Sequence, residues 1–113
     1  MPSPLTTHIL DTASGTPAAG VPVRLDRLAD AGWQSVASGH TNHDGRLPDL
    51  LEEGQLEAGV WRMHFDTGAY FEAKGVEGFY PYADVVFHVT KPSSHHHIPL
   101  LLSPFGYSTY RGS

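Results

Sequence analysis

Apolar and polar residues alternate along this chain in short runs, and glycine or proline interrupts almost every run. Leu5, Thr7 and Ile9 alternate with Thr6, His8 and Leu10, and Val21, Val23 and Leu25 alternate with Pro22, Arg24 and Asp26. Trp61, Met63 and Phe65 likewise alternate with Val60, Arg62 and His64. A period of two sends successive side chains to opposite faces, the pattern of strands that bury one side. The predicted strands are 5–11, 21–28, 33–41, 60–65, 84–89 and 96–102, with 47–51 a short connection or strand. The run 84–89 is β-branched and aromatic and predicts a buried strand. Asn42-His43-Asp44-Gly45 predicts a turn, because Asp-Gly readily supplies a positive φ. One segment departs from the period: 67–75 predicts a single short helix, started by Asp66 or Thr67 and ended by Gly75. Seven or eight short strands with one helix predict a mainly β protein, an antiparallel sandwich. No internal repeat or dividing linker is visible, so residues 1–113 are expected to form a single domain.

The same alternation assigns the histidines to faces. Ile98, Leu100 and Leu102 share a face with His96 and should point into the sandwich, leaving His95, His97, Pro99 and Leu101 outward. With Ile9 in the core, His8 and Leu10 also face outward. Both outer faces therefore mix a histidine with a leucine, and a second subunit is the simplest cover. Read this way, His8 and His97 belong to a site between subunits; read plainly, they are ordinary half-exposed strand residues. Adjacent residues of a strand point apart, so within His95-His96-His97 only His95 and His97 can share a metal. Without a carboxylate or thiolate beside them that is a weak metal signal, and no metal is expected. Arg46, after the Asp44-Gly45 turn, is either a solvated rim charge or a fork for a planar, acidic or imide-like ligand. Tyr107 to Tyr110 reads as an edge strand, and the last residues, Tyr110-Arg111-Gly112-Ser113, would ordinarily fray.

Composition sharpens this picture in three places. Eight histidines in 113 residues raise the prior for proton transfer or metal binding. Cysteine is absent, which removes disulfides and thiolate metal sites and fits a reducing compartment. The formal net charge of −5, with no basic stripe, argues against nucleic acid as a partner. No apolar run approaches a membrane span, and Met1-Pro2-Ser3-Pro4 has neither the basic nor the apolar region of a secretory signal, so a cytoplasmic location is expected.

Several stretches resemble the transthyretin-like family. They are Leu5-Thr6-Thr7-His8-Ile9-Leu10-Asp11, Gly15-x-Pro17-Ala18, the segment from Asp66 through the helix to Phe87, and His97-Ile98-Pro99-Leu100-Leu101-Leu102-Ser103-Pro104. The ending Tyr110-Arg111-Gly112-Ser113 is similar to the tetrapeptide that marks the 5-hydroxyisourate hydrolases of that family, which the hormone-carrying transthyretins lack. His96 departs from the family pattern, where an aromatic residue is common. The resemblance covers essentially the whole chain. It implies two four-stranded sheets with one short helix, a homotetramer, and a site in a channel at a subunit interface. It further implies hydrolysis of 5-hydroxyisourate to 2-oxo-4-hydroxy-4-carboxy-5-ureidoimidazoline in urate catabolism, without cofactor or metal. His8, Arg46, His97 and Ser113 take catalytic roles by this resemblance, and His8, Arg46, Tyr110 and Arg111 bind substrate. Either histidine suits the role of base toward water, because an ordinary imidazole titrates near pH 6.5. The hydroxyl or carboxylate of Ser113 can orient one of them. The alternatives are a small-ligand carrier on the same sandwich and a histidine-based metal binder.

Overall fold

A computed structural model describes residues 3–113; Met1 and Pro2, which carry part of the reading of the N-terminus, lie outside the described residues. Among the described residues, nine strands and one helix follow in order: β1 (Leu5–Asp11), β2 (Thr16–Pro17), β3 (Pro22–Ala29), β4 (Gly32–His40), β5 (Arg46–Leu47), β6 (Gly59–Phe65), α1 (Thr67–Ala73), β7 (Ala83–Val89), β8 (His96–Ser103) and β9 (Gly106–Thr109). They form two sheets. One runs β2-β1-β8-β9 with β5 also on β1, and the other runs β4-β3-β6-β7. The expected sandwich is present with two adjustments. The first sheet carries a fifth strand of two residues, and β1 pairs with β8 in parallel, so the sheets are not wholly antiparallel.

Between the sheets lie the residues that the period-two pattern turned inward. Leu5, Ile9, Leu100 and Leu102 from one sheet meet Val23, Leu25, Trp61, Met63 and Phe65 from the other, all nearly inaccessible to solvent. His96 is also buried on that inner side, with Nδ1 2.9 Å from the Ser94 carbonyl oxygen. The helix starts as expected: the Asp66 carboxylate accepts from the Ala69 amide at 3.1 Å, and its last turn closes through Gly75 N–H to Glu72 O and Val76 N–H to Phe71 O. It is bolted to the end of β1, where the Tyr70 hydroxyl donates to buried Asp11 at 2.8 Å.

Two expectations need correction. The strand over 84–89 is not buried: β7 is the outer edge of its sheet, and Asp84, Val86 and His88 face solvent. Pro99, expected to face outward, is buried, because the C-terminal tail folds back across it.

Candidate functional site

Three segments far apart in sequence meet on the outer face of the first sheet. In the parallel pairing of β1 with β8, Thr6 lies opposite His97 and Leu10 opposite Leu101. On the other side of β1, His8 lies opposite Arg46 of β5. Arg46 is thus a strand residue whose backbone has a fixed register and whose side chain is exposed. The turn that delivers it depends on Gly45, whose φ is +74°, and any side chain there would collide with the Ile9 carbonyl oxygen. The Asn42 side chain accepts from the amides of Asp44 and Arg46 at 2.9 and 3.0 Å and closes that turn.

The tail completes the site. Gly112 donates its amide to the His97 carbonyl oxygen at 2.8 Å, an isolated bridge that draws residues 110–113 along β8. Only glycine fits there: a Cβ on residue 112 would stand 2.5 Å from His97 Cδ2 and 3.2 Å from Pro99 Cγ. A tail with no Cβ at this point can lie flat on the imidazole, and Ser113 follows it into a cleft of about 200 Å³ with Thr6, Arg46, Pro48, His95 and His97.

Among the described residues, no aspartate or glutamate side chain lines the cleft. Among the described residues, Arg46 forms no ion pair with a carboxylate. Burial pushes the His97 imidazolium below the usual histidine range, and the charges of Arg46, His95 and His8 push it the same way. His97 is therefore neutral, and a proton acceptor, at neutral pH. Its Nδ1 is 2.9 Å from the Thr6 hydroxyl, which leaves Nε2 as the nitrogen without a partner among the described residues. The same hydroxyl is 2.9 Å from His95 Nε2, and the His95 and His97 rings stack with centroids 6.5 Å apart.

His97, Arg46 and Ser113 are thus brought together, with His8 beside Arg46 on the same face. Tyr110 and Arg111 are not. They line a separate pocket of about 230 Å³, against Val85, Val86, Phe87 and His88 of β7. Sequence reasoning passed over Thr6 as a site residue and treated His95 only as half of a weak metal pair. Thr6 sits two residues before His8, on the same strand face, and that spacing was the available signal. Among the described residues, no group of three or more histidine, aspartate or glutamate side chains is placed to hold a metal ion.

The family model described as HIUase/Transthyretin family matches residues 5–112. A mouse protein named 5-hydroxyisourate hydrolase is 51% identical over 113 residues, covering 98% of this chain and 96% of its own. Among solved structures, sea bream transthyretin in complex with thyroxine superimposes with a TM-score of 0.91 at 39% identity, over 96% of this chain and 94% of that one. The 5-hydroxyisourate hydrolase of Klebsiella pneumoniae gives 0.84, also at 39% identity, over 96% of this chain and 92% of its own. A carrier and an enzyme share this backbone, so the fold alone does not separate the two activities. The match over nearly the full chain does establish kinship: the chain belongs to the HIUase/transthyretin family.

Proposed function

We propose that this protein hydrolyses 5-hydroxyisourate to 2-oxo-4-hydroxy-4-carboxy-5-ureidoimidazoline. The observation that carries the reading is the convergence of neutral His97, Ser113 and Arg46, which has no ion-pair partner among the described residues, in one polar cleft, with His8 alongside. The 51% identity to the mouse protein of that name supports it. A site for carriage alone would be mostly apolar, with few titratable groups converging on it.

The substrate is a planar oxidised purine with an acyl C–N bond in its six-membered ring. Water adds to the acyl carbon while His97 Nε2 takes its proton, forming the new C–O bond. The Arg46 guanidinium holds the developing oxyanion, and its fork suits a flat, imide-like ring. Collapse of the adduct breaks the C–N bond, and the proton held by His97 passes to the departing nitrogen. His8, in register with Arg46, binds the opposite edge of the ring, and Ser113 orients His97 or the water. No step calls on a cofactor or a metal.

We further infer a homotetramer, with the site at a subunit interface and the protein in the cytoplasm. Leu10 and Leu101 stand half-covered beside the cleft, and Phe105 and Tyr110 are 69% and 58% exposed in the single chain. Such apolar area calls for a partner surface. Tyr110 and Arg111 take their substrate-binding role, in this reading, across that boundary. No helix among the described residues is long and apolar enough to cross a membrane.

The test is direct. 5-Hydroxyisourate, generated with urate oxidase, is followed by its ultraviolet absorbance with and without the protein. Accelerated decay that survives a chelator is the expected result; unaltered decay would return the protein to the carrier reading. Light scattering that finds only monomer at micromolar concentration would overturn the interfacial site.

A further inference from the structure

The hydroxyl of Thr6 stands between two imidazoles, 2.9 Å from His97 Nδ1 and 2.9 Å from His95 Nε2. A hydroxyl has one proton to give and lone pairs to accept with, so it cannot donate to both rings. If His97 Nδ1–H donates to Thr6, Thr6 can donate onward to His95, and His97 Nε2 is left bare for the cleft. If His95 Nε2–H donates to Thr6, the hydroxyl proton is free to turn to His97 Nδ1, and His97 must then carry its proton on Nε2. The first state presents a proton acceptor to the site and the second only a hydrogen-bond donor.

We propose that Thr6 is a positioning residue that couples His95 to His97: its hydroxyl sets which nitrogen of His97 is protonated, and the state of His95 sets the direction of the hydroxyl. This rests on the hydrolase reading above and names the device that regulates its base. The geometry makes the link specific. Thr6 and His97 are register partners across the parallel β1–β8 pair, so backbone hydrogen bonding holds the hydroxyl in place. His95 stands just before β8, exposed to solvent, with its ring stacked on that of His97. When His95 carries a proton on Nε2, that nitrogen donates to Thr6, which favours the Nε2–H form of His97. The groups facing His97 are Thr6 and His8 from β1, Arg46 from β5, His95 before β8, and Gly112 and Ser113 from the tail. Of these, His95 alone reaches it through the shared hydroxyl.

The experiment uses the full chain, with Thr6→Val, Thr6→Ser and His95→Phe as variants, all checked for native far-UV circular dichroism. Imidazole nitrogen NMR of the substrate-free protein at pH 7.5 should show His97 protonated on Nδ1. Thr6→Val should move it toward the Nε2–H form, and Thr6→Ser should restore it. The expected kinetic loss in Thr6→Val is roughly tenfold in kcat with KM little changed, the scale of one hydrogen bond. His95→Phe removes the onward acceptor of the Thr6 hydroxyl, so its His97 spectra should move toward the Nε2–H form; spectra unmoved in this variant would also overturn the coupling. An inactive wild-type chain overturns the hydrolase reading. An active wild type with His97 already in the Nε2–H form, or with kcat and His97 spectra unmoved in Thr6→Val, overturns the coupling alone.

Discussion

The two outer faces of this sandwich carry the same kinds of residue and use them in opposite ways. On the second sheet the charges neutralise one another. Asp26 is only 2% exposed and is gripped by Arg24 at 2.9 Å and Arg62 at 2.7 Å, with Arg62 lying over the Trp33 ring at 4.4 Å. Burial pushes the Asp26 carboxyl up, but the two arginines outweigh it and hold it below the usual carboxylate range. Beside them His64 is paired with Asp84. On the first sheet Arg46 has no carboxylate partner among the described residues, and His97 faces the Thr6 hydroxyl, Ser113 and the Arg46 guanidinium. A face whose charges are all paired has nothing left for a ligand. A face whose charges are unpaired is electrostatically unsettled until a ligand arrives, which is a common property of functional sites.

The sharpest way to break this contrast is to exchange consequences between the faces. His97→Ala should lower kcat/KM by about 10²–10⁴-fold and leave the thermal midpoint near wild type. His64→Ala, the matching change on the other sheet, should leave kcat/KM within experimental error; a loss comparable to that of His97→Ala would dissolve the distinction. Gly112→Ala comes next. Its Cβ forces the tail off the His97 ring, and kcat/KM should fall on the order of 10²-fold, the scale of an ångström's misplacement, in an otherwise folded protein. Asp26→Ala should do the reverse. It should cost about 2–3 kcal/mol in denaturant unfolding, less than a fully buried pair because Arg24 and Arg62 are 42% and 21% exposed and can turn to water, while kcat/KM holds. Its pH signature follows from the depressed carboxyl: the stability Asp26 gives is present above the unfolded carboxylate value near 3.8 and disappears as the pH drops through the lower folded value.

Smallest and most diagnostic is a shift along the pH axis. The base form of His97 is lost as pH falls, so the acid limb of kcat/KM should lie below the ordinary histidine value of 6.5. In Arg46→Ala the residual activity should show that limb moved to higher pH, because a neighbouring positive charge no longer opposes protonation. A limb that stays in place would mean that another group, such as His8, is the base.

Much of this was legible in the sequence, for a physical reason. Period-two alternation is a local property, and by itself it assigns Ile9, Ile98, Leu100 and Leu102 to the core and His8 and His97 to the outer face, as the structure has them. What it cannot carry is pairing. Nothing in 5–11 or 96–102 says that the two strands run parallel or that Thr6 falls opposite His97, so the shared hydroxyl between His95 and His97 was invisible. Burial of Pro99 depends on a tail that returns over β8, again a relation between distant segments. The same limit explains β7: its β-branched composition suits any strand, and only its edge position decides that one side stays wet.

The parallel pair of β1 and β8 also sets an order of events. The second sheet is built from β3, β4, β6 and β7, joined by antiparallel pairings within residues 22–89, and can zip up while the chain is still emerging. The face with the cleft cannot. Thr6 waits for His97, 91 residues later, and both wait for Gly112. Closing so long a loop is entropically slow, so it gains from a scaffold already in place. During synthesis the site-bearing half is therefore the last to form. Until then β1 carries only the two-residue strands β2 and β5 along one edge, its other edge stays open, and its inner face needs cover from the finished sheet.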